Sequence, residues 1–147
     1  MIFHHLILRV VTKLLVGTII LFALYVQFHG DFSPGGGFQA GVIMAVAFIL
    51  YGIVFSLEAA KKVFPEWFVH KLSALGVLIY AGTGIVTMIL GYDFLDYDAF
   101  SPLHPTHGQH WGLLIIEFGV GVTVTGVMVA IYYAFAGRPP YISDEEW

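Results

Sequence analysis

Ser33-Pro34-Gly35-Gly36-Gly37-Phe38-Gln39-Ala40-Gly41 stands at the doorway of a long apolar stretch. Three adjacent glycines lose more entropy on ordering than any other residues, so they are kept where the backbone needs positive φ or a very close approach. At the mouth of a membrane helix they predict a compact, tightly packed entry rather than a slack linker. Working outward, apolar windows fall at residues 6–28, 38–57, 72–91 and 111–135, each near the ~20 residues needed to cross a hydrocarbon core.

Composition agrees. The chain has 147 residues, of which 59% are hydrophobic and 11% charged, whereas a soluble domain carries about 25% charged residues. A larger core cannot explain the shortfall, because small domains bury less of their surface. The reading is an all-α integral membrane protein with four transmembrane helices. Residues 1–137 form the membrane domain and 138–147 a short cytoplasmic tail. Arg9 and Lys13 before the first apolar run imitate a signal peptide, but Tyr25-Val26-Gln27-Phe28 offers no small-residue cleavage site. That segment is expected to be a retained helix.

If the chain alternates across the bilayer, all six basic residues fall on one side: Arg9, Lys13, Lys61, Lys62, Lys71 and Arg138. The other side holds Asp31, Asp93, Asp96 and Asp98. The positive-inside bias then places both termini in the cytoplasm. The net charge of −4 is too small and dispersed for a nucleic-acid partner. Without cysteine there is no disulfide, thiolate metal site or cysteine nucleophile. No nucleotide motif or redox-ligand cluster is present, so the chain is expected to need no cofactor and to be no enzyme.

Span four carries Gly112, Gly119 and Gly126 on one face and Glu117, Gly121 and Thr125 on another. Small residues let membrane helices approach closely. Two such faces on one helix predict contacts with helices of other subunits, the alternative being ordinary packing within one bundle. Glu117 lies ~9 Å inside the outer hydrocarbon boundary at 1.5 Å per residue. An ionisable group at that depth is expensive and marks an ion or proton pathway by default; the bland alternative is a hydrogen-bonded glutamate that fixes a helix contact. Lys13 lies ~10 Å from the inner boundary. Across a ~30 Å core that leaves the two charges about 11 Å apart in depth, too far for a direct pair. Lys13 either snorkels to the interface or serves an ion path.

His104, His107 and His110 have spacing that can suit zinc, but Pro102, Pro105 and Gly108 argue against the continuous helix that would fix it. No metal site is expected there. His29 and Asp31 are candidates for lining an outer entrance.

These residues also resemble a known family. Pro34-Gly35-Gly36-Gly37-Phe38-Gln39-Ala40-Gly41-Val42-Ile43, after His29-Gly30, is similar to the signature of the MnhB/MrpB family, small membrane components of multisubunit Mrp-type sodium/proton antiporters. Thr12-Lys13 in span one resembles a Thr-Lys pair before the family's first helix core. Glu117-Phe118-Gly119-Val120, with Gly126 following, resembles its acidic-x-Gly-Val segment, where the acid is often aspartate. Many members read Gly-His before the proline, whereas this chain has Gly30-Asp31 with His29 one place earlier. The resemblance implies an accessory subunit of the prokaryotic cell (inner) membrane, without antiport activity of its own. It implies assembly with large complex-I-like membrane subunits into a complex that exchanges sodium for protons and supports pH homeostasis. Within it, Glu117, Lys13 and Thr125 are the ion-path candidates, and Pro34, Gly35, Gly36, Gly37, Phe38 and Gly41 form the helix entry. Two alternatives remain at this point: a purely structural scaffold, and the equivalent subunit of a membrane-bound energy-converting hydrogenase.

Overall fold

A computed structural model describes residues 2–30, 35–101 and 103–138. Asp31, Pro34 and the tail beyond Arg138 lie outside the described residues. The chain forms α1 (Ile2–Phe28), α2 (Gly37–Phe55), a short α3 (Leu57–Val63), α4 (Glu66–Ile89), a 3-10 turn at Tyr97–Phe100 and α5 (Pro105–Ala136). Four of these helices are long and apolar enough to cross a membrane: α1, α2, α4 and α5.

The ends of the spans are set by local chemistry that hydropathy alone does not show. α2 stops at Phe55 rather than 57 because Ser56 turns the chain at φ 116 and ψ 156, a region that costs a side-chain-bearing residue about 1–3 kcal/mol. Ser56 closes one helix and opens the next: its N–H bonds Gly52 O at 3.0 Å, while its hydroxyl accepts from Ala59 N at 3.3 Å. α4 begins at Glu66 rather than 72, directly after Pro65. α5 begins at Pro105 rather than 111, and this corrects the expectation that the prolines and Gly108 prevent a helix through the histidines. Proline occupies the first turn, where its missing N–H is no loss and its fixed φ suits a helix. Gly108 is buried because the loop lies on it; a Cβ there would stand 2.6 Å from Tyr97 O.

The loop between α4 and α5 is folded back onto the bundle. The Thr87 hydroxyl lies 2.8 Å from Gly84 O and 2.9 Å from Asp93 O, and it accepts from Leu95 N at 3.0 Å. Phe94 fills the space over Gly84 and Tyr97 that over Gly112. At the opposite end, Ala45, Ala60, Phe64, Val69, Val129 and Tyr133 make the buried core. There the Tyr133 hydroxyl donates to Phe64 O at 2.8 Å.

The four spans stand in the order α1, α2, α5, α4, each packed on the next, and α1 touches α5 only lightly. Both small faces of α5 are therefore used within the chain. Gly119 and Gly126 pack on α4 at Gly76, Val69 and Ser73, while Gly121 packs against Gly37 and Gly41 of α2. The expectation that the second face calls for another subunit is corrected: α2 covers it.

Candidate functional site

The glycine block and Glu117, which the sequence presents as separate features, meet in space. Glu117 is half-buried on α5, and its carboxylate reaches the start of α2. A Cβ built on Gly30 would stand 3.0 Å from its Oε2, and one on Gly36 2.8 Å from its Oε1. A Cβ on Gly37 would overlap the Glu117 carbonyl oxygen and lie 2.9 Å from its Cα. Gly36 also has φ +115, a conformation open to glycine and strained for other residues. Gly35 packs on α1, where a Cβ would come within 3.1 Å of Val26 O. Each glycine thus has its own steric reason, and together they let α1, α2 and α5 close around one carboxylate.

The electrostatics suit that carboxylate. Gly36 caps α2 without a side-chain hydrogen bond. The carboxylate lies beside the start of α2, the end of a helix that carries unpaired N–H groups and the positive pole of the dipole and so favours negative charge. An open groove of ≈ 290 Å³ borders the carboxylate, lined by Gly35 to Gln39 with Ile116 and Val120.

The other predicted residues divide. Thr125 is buried one level deeper, donating to Gly121 O at 2.7 Å and lying 3.2 Å from Gly41 O. Gly41 forms the seam itself, since a Cβ there would stand 2.7 Å from Gly121 O. Phe38 points outward, 64% exposed. His29 stacks on Tyr25 with ring centroids 4.9 Å apart, next to the Gly30 that touches Glu117. Lys13 is not in the site. It is exposed on α1, its Nζ 5.8 Å from the Phe55 ring at the far end of α2, roughly 27 Å along that helix from Gly37 at 1.5 Å per residue. Its neighbour Thr12 is buried instead. Among the described residues, no three His, Asp or Glu side chains converge on a possible metal position.

Two residues of the site escape a reading of the sequence alone. Gly30 is legible there only as a neighbour of the signature, although it forms one wall of the cradle. Gln27 is 8% exposed, and its Oε1 lies where a Gly121 side chain would stand, 2.6 Å from the Cβ position. The available signal is an amide in the largely apolar second half of α1.

Fold and site together define a small multi-pass membrane protein that holds a carboxylate inside its helix layer. Residues 7–130 match the family described as a domain related to the MnhB subunit of Na+/H+ antiporter, and the chain belongs to that family. A Staphylococcus haemolyticus protein named "Putative antiporter subunit mnhB2" is 37% identical over 137 residues, covering 91% of this chain and 96% of the relative. The protein of the same name from Staphylococcus aureus strain Newman is 35% identical over 136 residues, again covering 91% and 96%. The chain is a multi-pass protein of the cell membrane.

Proposed function

We propose that the chain is the MnhB-type accessory subunit of a multisubunit Na+/H+ antiporter, and that the Glu117 cradle lies on the route of a transported cation. The observation that carries this is the meeting of Glu117 with Gly30, Gly36 and Gly37. A carboxylate within a span is costly, yet here three glycines and a helix start are arranged around it beside an open groove. The charge pattern orients the site. Lys61, Lys62 and Lys71 with both terminal segments face the cytoplasm, and Asp93, Asp96 and Asp98 face outward. Glu117 then stands toward the outer side, with Thr125 below it. Lys13 lies at the inner end on the outward face of α1, where it serves a neighbouring subunit or snorkels rather than pairing with Glu117. The chain supplies a lining to the route and no covalent chemistry; the large transporter subunits are its partners.

Glu117→Gln keeps size and hydrogen-bonding capacity and removes the charge. Antiport of the assembled complex is expected to fall at least ~10-fold, the scale on which a lost charged interaction registers, with the complex still present on a native gel. Full antiport by a Glu117→Gln complex would leave the chain with a scaffold role alone.

A further inference from the structure

Separate from the groove at Glu117, the row of helices leaves a cavity of ≈ 240 Å³ between α1 and the start of α4. Its lining is almost wholly apolar, with Leu24, Phe28, Met44, Phe48, Phe64 and Phe68 on its walls. An apolar space offers water no partners and suits hydrocarbon. Spread over the ~12 Å from Ala40 to Phe48 along α2, it is only a few ångströms wide, narrower than a helix at about 10 Å. Helical spacing carries this groove on toward the basic end of the molecule. Phe55 follows Phe48 by two turns of α2, so its ring stands on the same face ~10 Å further along. Lys13 precedes Leu24 by three turns of α1, on the same wall ~16 Å away, and Arg9 lies one turn beyond. The Arg9 guanidinium carbon and Lys13 Nζ each stand 5.8 Å from the Phe55 ring centroid. From Gly37 to Phe55 α2 is ~27 Å long, close to the ~30 Å of a hydrocarbon core, so these three residues mark the level where headgroups begin. Both cations are exposed, and among the described residues no carboxylate is paired with either. Like charges one helical turn apart repel, and an anion between them offsets that cost.

We propose that an anionic phospholipid is bound here, its phosphate held by Arg9 and Lys13 and one acyl chain lying in the apolar groove. Charge decides the headgroup: one that bears an amine brings its own cation toward Arg9 and Lys13, and one without an amine does not. Arginine meets phosphate oxygens with its planar fork and lysine as a point charge, and basic pockets at the ends of membrane helices hold acidic headgroups in this way. Phe48 and Phe64 stack with ring centroids 4.3 Å apart and give the chain a flat wall. The bound lipid also ties α1 to the rest of the row. α1 packs on α2 and touches α5 only lightly, so a chain lying between α1 and α4 supplies contacts that the protein leaves out. None of this depends on Glu117 lying on a cation route.

The test places the whole complex in phosphatidylcholine vesicles doped with a photoreactive lipid that carries a diazirine midway along one chain. The probe is either phosphatidylglycerol or phosphatidylcholine, and mass spectrometry reads the labelled peptides. In the parent complex the phosphatidylglycerol probe is expected to label the segments around Met44, Phe48 and Phe68 about tenfold more than the phosphatidylcholine probe, the order expected of two basic groups facing one negative headgroup. Arg9→Gln combined with Lys13→Gln is expected to bring the two probes level. Arg9→Lys combined with Lys13→Arg keeps both charges and should retain the preference. Equal labelling by the two probes in the parent overturns the proposal, because the groove then holds ordinary bilayer lipid. Absence of label from the groove with both probes also overturns it and assigns the space to a neighbouring subunit. A preference that survives loss of both charges places the headgroup on other basic residues and overturns the site. Should the doubly neutral variant fail to assemble, Lys13→Gln is read in its place, and a preference equal to the parent's overturns the proposal.

Discussion

Glycines in this chain separate into those that hold the site and those that merely occupy helices, and steric surroundings tell them apart. Gly37 faces the main chain of Glu117, which cannot swing aside as a side-chain tip can, whereas Gly17 has nothing within 4 Å of its Cβ position. Gly37→Ala is expected to cost about 1–3 kcal/mol by overpacking and to reduce the folded protein recovered from membranes. Gly17→Ala is expected to be neutral or to stabilise by up to about 1 kcal/mol; thermal denaturation in detergent compares the two. The residue before α3 offers a converse case. Ser56 holds a backbone region suited to glycine, and glycine replaces a serine cap at a cost of only a few tenths of a kcal/mol. Ser56→Gly should therefore raise the melting temperature, and a fall would mean that the hydroxyl bond to Ala59 outweighs the strain. The run of glycines is legible in the sequence as a demand for close approach. The approaching atom is not, because residues 36 and 117 are far apart along the chain and no periodicity links them.

α5 explains the bundle at the scale of elements. Its two small faces are both readable as helical stripes, and the four spans follow from hydropathy. What a stripe cannot say is whose backbone fills it, and here α4 takes one face and α2 the other. Helix ends are equally hidden, since Pro105 and Pro65 start helices in polar sequence where an apolar window sees nothing. The end of α3 is tied to α5 by a buried hydrogen bond as well as by apolar packing. Tyr133→Phe removes the donor to Phe64 O and leaves that carbonyl unpaired, so a loss of about 1–3 kcal/mol is expected. Denaturation of the purified protein checks it, and an unchanged transition would show that the carbonyl finds another donor.

Seen whole, the molecule is an open row rather than a closed bundle, with its chemistry near one end and its basic residues at the other. Apolar side chains such as Leu14, Leu21, Phe22, Leu78 and Ile89 remain more than half exposed; lipid and partner subunits cover them in this account. The carboxylate in its cradle is the centre of that account, and its contact with the cation can be read without depending on turnover. In the intact complex, a carboxyl-directed carbodiimide should modify Glu117, and mass spectrometry should find that modification slowed as sodium rises while potassium at equal ionic strength protects less. Modification of Glu117 that proceeds at the same rate with and without sodium would contradict a cation site in the glycine cradle.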